Sequence, residues 1–408
     1  MSSRTRILFL APVEPWCREN GSSLIIADLL DELATHDEVE ILPVFMRPPP
    51  PGLTRVPEAS RRGVLLDIPG VPRWVSVTRA VLSASSPLRH RFDNGRVARA
   101  VEDVLAARRF EPSLVHVEHL PLVDIASAVA LPRRAPIVYR SHNVESRLWA
   151  RRLGLPEPAK SMVVKRLERT EADAIRATDL SLWISEGDLD WARDRVPQHP
   201  SALFPCSLRL DRYDAVCARR PSFERQICFI GGLDWAPNEA GLRWFVHEVL
   251  PRVTAAMPNC GLAVLAREAE QHAWLTDNAA VRILPSEGSA PELFASSHVS
   301  ISPLFQGGGV RIKIPESLAL GCPVVATVVG AEGHDLPGVT RTDDPGAFAA
   351  ACLRYLAGEE KRPSRADLRA SVQARYGAAT LATRLVSHWR DALERRSPSE
   401  STATDVTA

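Results

Sequence analysis

The segment Gly307-Gly-Gly-Val-Arg311-Ile-Lys313-Ile-Pro315-Glu316 gathers residue types that suit one chemistry. An apolar run at 299–303 reads as a strand before it, and a helix follows. Glycines lack Cβ, so a ligand can approach the backbone closely there. The first turn of the helix offers N–H groups that no carbonyl takes and a partial positive charge. Arg311 and Lys313 add full charges at the same place, and a guanidinium holds two phosphate oxygens at once. Cations are disfavoured at a helix N-terminus unless an anion is present, which weighs against plain surface charge. Pro315 fits only a first turn and so sets the helix start near 313–314. Glu316 is wrong for phosphate but suits a pair of sugar hydroxyls. Together these parts describe a pocket for a nucleotide diphosphate that carries a sugar.

Three further places carry candidate chemistry. Gly231 and Gly232, in Phe229-Ile-Gly-Gly-Leu-Asp-Trp-Ala-Pro-Asn238, sit where a strand gives way to a turn; a tight turn and a ligand contact are both open. Asn238 is placed to cap the helix that follows. Near the N-terminus, Glu14-Pro-Trp-Cys-Arg-Glu-Asn-Gly21-Ser-Ser23 joins a strand to a helix, which Ser22 or Ser23 is placed to cap. His142 ends the fourth strand among the polar residues Arg140, Ser141, Asn143 and Glu145, which argues against simple core filling. His116, inside the third strand, reads as a satisfied core histidine. Glu118 and His119 follow it at the strand end.

The elements that must position these residues alternate along the chain. Strands are expected at 7–11, 39–44, 114–117, 137–140, 180–184 and 202–204, then at 227–230, 262–265, 281–284, 299–303 and 323–326. Helical periodicity falls at 23–34, 74–82, 89–109, 165–177, 347–356 and 378–396. A further helix carries Leu242, Phe245, Val246, Val249, Leu250 and Val253. The proline-rich stretch 46–62 reads as a loop. Such alternation predicts an α/β fold with two parallel sheets. With 408 residues the chain exceeds one ordinary core. The expected division is 1–205, a linker 206–225, a second domain 226–375, a C-terminal helix 376–396 returning to the first domain, and a disordered tail 397–408.

Composition excludes several classes. A formal net charge of +1 gives no support for nucleic-acid binding. Seven scattered cysteines without a C-x-x-C pair point to free thiols in a reducing, cytoplasmic setting. No run reaches the roughly 18 apolar residues of a membrane span, and the first apolar run reads as a core strand, not a leader. The basic helices at 74–82 and 89–109 have two readings: solvated faces, or a peripheral surface for an acidic membrane or a lipid-phosphate acceptor.

Phe229–Asn238, Leu242-Arg-Trp-Phe245, Pro251, Gly307–Glu316 and Gly330-Ala-Glu-Gly333 resemble the retaining GT-B glycosyltransferases of family 4. The similarity is greatest to bacterial members whose donor loop reads Gly-Gly-Gly-x-Arg-x-Lys. Arg140-Ser-His-Asn-Val-Glu-Ser146, Trp149 and Glu171-Ala-Asp173 are similar to that subgroup too. The resemblance implies two facing Rossmann-like domains with an interdomain cleft, a nucleotide-sugar donor held mainly by the second domain, and no required metal or cofactor. It further implies donor contacts at Gly21, Gly231, Gly232, Asn238, Gly307, Gly308, Gly309 and Glu316. Catalytic roles fall to His142, Arg311 and Lys313, and acceptor or sugar contacts to Glu118 and His119. Glu316 matches the second Glu of an E-x7-E element; Gly308 stands where the first would lie. No cation precedes Arg243 after the first strand of the second domain, so Arg311 and Lys313 are expected to neutralise the diphosphate instead. The acceptor is a hydroxyl on a glycan, a lipid-linked or a small molecule, and cell-surface polysaccharide synthesis is the setting implied. A nucleotide-sugar epimerase of related fold and a non-catalytic nucleotide-sugar-binding relative remain as alternatives.

Overall fold

Two runs of strand–helix alternation produce two separate parallel sheets. The computed structural model describes residues 4–17, 21–47, 63–82, 86–154, 156–216, 223–285, 288–306, 311–358 and 363–396. The first sheet contains β1 (Thr5–Val13), β2 (Val39–Arg47), β3 (Val64–Leu65), β4 (Leu114–Glu118), β5 (Ile137–Ser141), β6 (Leu180–Trp183) and β7 (Ser201–Leu203). Its order is β3-β2-β1-β4-β5-β6-β7, every pairing parallel. Helices cover both faces, which is why β1 is apolar without alternation; Ile7, Leu8, Phe9 and Leu10 are all fully buried.

The second sheet contains β8 (Arg225–Ile230), β9 (Cys260–Leu265), β10 (Val281–Ile283), β11 (Val299–Ser302), β12 (Val324–Ala326) and β13 (Val339–Arg341), in the order β10-β9-β8-β11-β12-β13. In each sheet the chain builds outward in one direction, then returns to the far side of its first strand. The order therefore reverses between β1 and β4, and again between β8 and β11. A crevice opens at the carboxyl ends of strands at such a reversal, and open α/β sheets bind ligands there. The architecture is GT-B: two parallel-sheet α/β domains.

Two segments cross between the domains and pair with each other. Leu208 and Gly377 form an isolated parallel bridge, with Leu208 N donating to Tyr376 O at 2.7 Å and Ala378 N to Leu208 O at 2.9 Å. Beyond the second crossing, the helix Ala378–Arg396 packs on the helix Gly21–Leu33 and buries Leu381, Leu385 and Trp389 in a core shared with Ile7 and Phe9.

Several local expectations are corrected. The helix expected over 89–109 is a 3₁₀ turn (Pro87–His90) and a separate helix (Asn94–Arg108), because Asp93 caps the latter by accepting from Arg96 N at 3.2 Å. The helix of Leu242 and Val253 is interrupted by a π-turn (Phe245–Val249) just before Pro251, which has no N–H to continue the ladder. Its six apolar residues are nevertheless all buried. Asn238 is not a cap; it lies inside the helix Ala236–Trp244, and its Nδ2 donates to Gly232 O at 2.9 Å. Ser22 and Ser23 likewise lie within the first turn of a helix that starts at Gly21. The tail 397–408 and most of the proline-rich loop lie outside the described residues. Among the described residues, no helix is long and apolar enough to cross a membrane.

Candidate active site

The first reversal point brings together three polar side chains from separate elements. His119 follows β4, His142 follows β5, and Ser22 stands in the first turn after β1. The two imidazoles stack with centroids 3.9 Å apart, and Ser22 Oγ lies 2.9 Å from His119 Nε2 and 3.2 Å from His142 Nδ1. His119 adopts φ +73°, a left-handed conformation that a β-carbon resists, so the backbone carries strain at a cleft residue.

Behind them, Glu118 is fully buried and bonded by three partners. Its carboxylate accepts from His116 Nε2 at 3.1 Å, from Arg140 at 3.2 Å, and from His142 Nε2 in a close contact. Burial alone would raise this carboxyl, but Arg140, His142 and His116 hold it well below the usual range. Burial lowers His116, His119 and His142, so all three rings are neutral at neutral pH. The network then assigns the tautomers. Trp389 donates its indole N–H to His116 Nδ1 at 3.2 Å, so His116 donates through Nε2 to Glu118. His142 donates through Nε2 as well, which turns its Nδ1 lone pair toward Ser22. Ser22 gives its hydroxyl proton to that lone pair and accepts from His119. A substrate hydroxyl in the place of Ser22 would find the same acceptor. Glu118 is fully buried, and its carboxylate holds His142. A cleft of about 200 Å³ opens beside this group, lined by Pro12, Val13, Ser22, Ser23, Arg91 and His119.

The loop after β5 is fixed by a carboxyl that the sequence names only through resemblance. Glu171 accepts from Glu145 N at 2.6 Å and from Ser146 N at 3.1 Å, at the start of the helix Glu145–Arg152. Burial pushes it up to about 8, against the pull of those donors.

The second reversal point holds the cations. Lys313 begins the helix Lys313–Ala319, and its Nζ donates to Ile230 O, the last residue of β8, at 2.7 Å. Burial and then the neighbouring Arg311 lower this ammonium to about 8, with Glu316 opposing. Gly231 is required here, since a Cβ would meet Asn238 Nδ2 at 2.8 Å and Lys313 Nζ at 2.9 Å. Gly241 is required too, because a Cβ would fall 2.0 Å from Pro303 O, where the next helix rests on the end of β11. Arg311 is buried, its guanidinium 5.8 Å from the centre of the Trp235 ring. Glu316 accepts from Tyr213 Oη at 2.6 Å and from Arg212 at 3.2 Å. Neither partner is signalled by the sequence. Gly307, Gly308 and Gly309 lie outside the described residues. The structure thus groups Gly231, Asn238, Lys313 and Glu316 on one side and Ser22, His119 and His142 on the other. Arg212 reaches both Glu316, at 3.2 Å, and Asp28, at 3.1 Å on the helix that carries Ser22, so the crossing segment links the two groups. Among the described residues, no cluster of three or more His, Cys, Asp or Glu could hold a metal ion.

Comparison with known proteins agrees with the fold. Residues 224–358 match the family model described as Glycosyl transferases group 1. Sucrose-phosphate synthase from Thermosynechococcus elongatus superposes with a TM-score of 0.67 at 15% identity, over 96% of this chain and 100% of that one. Anabaena HepE in complex with UDP and glucose gives 0.64 at 14% identity, over 95% and 100%. A putative UDP-N-acetylglucosamine 2-epimerase from Listeria monocytogenes gives 0.60 at 12% identity, over 98% and 100%. These likenesses establish the fold. An uncharacterized 44.6 kDa protein in the cps region of Klebsiella pneumoniae is 24% identical over 166 residues, 38% of this chain and 40% of that relative's length.

Proposed function

We propose that the protein is a retaining GT-B glycosyltransferase of family 4 that moves a sugar from a nucleotide diphosphate to an acceptor hydroxyl. One observation carries the reading: a single short helix presents the Lys313 ammonium beside Gly231 and the Glu316 carboxylate at the second reversal point. The match of residues 224–358 to the glycosyl transferase model, and HepE bound to UDP and glucose on the same fold, support it. In the reaction, the bond from the anomeric carbon to the β-phosphate oxygen breaks as the acceptor oxygen bonds the same face. The leaving phosphate oxygen takes the acceptor proton, so no separate base is needed. Lys313 and Arg311 oppose the charge that develops on the diphosphate. His142, with its Nδ1 lone pair turned toward Ser22 at the cleft wall, receives a sugar hydroxyl in place of Ser22, and the cleft beside His119 receives the acceptor.

The setting we propose is cell-surface polysaccharide synthesis, which the cps-region relative supports. The exposed Trp74, on the basic helix Arg73–Leu82, supports a peripheral approach to a lipid-linked acceptor. A thermal-shift screen of UDP-, GDP-, ADP- and TDP-sugars tests the donor half, since a ligand well above its Kd raises the melting temperature. Transfer to an added glycan or lipid-linked acceptor, with product linkage read by NMR, tests the rest. A protein indifferent to every donor would end this reading. The epimerase neighbour supports one alternative; it predicts an epimer from donor alone, with no acceptor present.

A further inference from the structure

The donor carboxylate is half occupied before any ligand arrives. Glu316 Oε1 accepts from both Tyr213 Oη and Arg212, while Oε2 accepts no hydrogen bond among the described residues. A carboxylate oxygen has two lone pairs, enough for the two hydroxyls of a ribose. Tyr213 and Arg212 belong to the crossing segment, not to either sheet, and the guanidinium carbon stands 4.7 Å from the centre of the tyrosine ring. Burial keeps the Tyr213 phenol protonated and therefore a donor. Arg212 also reaches Asp28 at 3.1 Å, in the middle of the helix Gly21–Leu33 that begins at the other half of the site. Asp28 is fully buried and takes a second bond from Arg209 N at 2.8 Å.

We propose that Arg212 and Tyr213 are positioning residues of the donor site. They pin one oxygen of Glu316 so that the other faces the ribose hydroxyls, and through Asp28 they make that grip depend on the first domain. The inference rests on the donor reading above. Ribose recognition would then weaken whenever the domains part, because the contact that orients Glu316 is anchored on the opposite side.

The experiment is a calorimetric comparison of UDP, GDP, ADP and TDP, each against its 2′,3′-dideoxy form, which offers Glu316 no hydroxyl, on wild-type, Glu316→Gln, Tyr213→Phe and Asp28→Asn proteins. Wild-type should prefer the hydroxyl-bearing form by about tenfold, as expected for a hydrogen bond to a charged group. Glu316→Gln should erase that preference. Tyr213→Phe and Asp28→Asn should each shrink it about threefold or more, while affinity for the dideoxy form stays unchanged. A merely structural role would weaken both forms together. Should both variants keep the full preference while Glu316→Gln loses it, the positioning role is wrong and the donor reading survives. Should Glu316→Gln keep it, or wild-type bind none of the four diphosphates, the donor reading itself falls and the inference with it. The asparagine variant leaves the tyrosine in place, so a misfolded Tyr213→Phe protein does not stop the test.

Discussion

Lys313 is a buried ammonium with another cation beside it and a carbonyl as its bonded partner. Such a group gains from an arriving anion. Its value in the free protein is about 8, so it is charged below that pH and loses its charge above it. A bound diphosphate raises the value, since opposite charge favours the protonated form. Binding should therefore take up protons just above pH 8 and weaken as pH rises through about 8. Calorimetry in two buffers of different ionisation enthalpy measures that uptake; Lys313→Ala should abolish it. Arg311→Ala and Lys313→Ala should each cost about tenfold in diphosphate affinity, as for loss of a charge-assisted bond. Unchanged affinity in both would remove the cations from the phosphate site. At the same scale, His142 is set by fully buried residues behind it. Its tautomer follows from Glu118, His116 and finally Trp389, 273 positions from His116 in the chain.

Among the elements, the helix Glu145–Arg152 shows how a loop is kept in place. Its first two amides are capped by Glu171, which comes from the helix Ala159–Arg176 rather than from its own sequence. Glu171→Gln turns an N–H₂ toward a backbone N–H and should destabilise the first domain by about 1–3 kcal/mol. Thermal unfolding monitored with and without nucleotide checks this: the transition that nucleotide does not shift should move down. Much of this level was legible beforehand. The strand–glycine–helix order and Pro315 placed the start of the cationic helix at 313–314, where the structure has it. The strands with long apolar runs were legible as well. β3 and β13 were not, because β3 is two residues beside the proline-rich stretch and β13, Val-Thr-Arg, has a single apolar residue. Arg212 and Tyr213 were invisible for a related reason. They lie where periodicity is lost, and their meaning comes only from Asp28 and Glu316, which the chain brings to them from both sides. Ser22 was read as a cap because its neighbours in sequence suggest one, whereas its partners are histidines about 100 residues away.

For the whole molecule, the helix Ala378–Arg396 follows the second domain in sequence yet belongs to the core of the first. Leu385 is fully buried there, and Leu385→Ala should cost about 2–5 kcal/mol. Hydrogen exchange should rise in peptides covering β1 and the helix Gly21–Leu33, and stay unchanged over β8 and β11. Equal loosening of both sheets would mean that the helix braces the molecule as one body. The paired crossing at Leu208 and Gly377 has a mechanical result. Two chain crossings bonded to each other limit the ways the lobes can turn, as a door hinge does, where a lone tether would be a swivel. A hinge of that kind would bring the histidines back to the same standing relative to Lys313 after each swing.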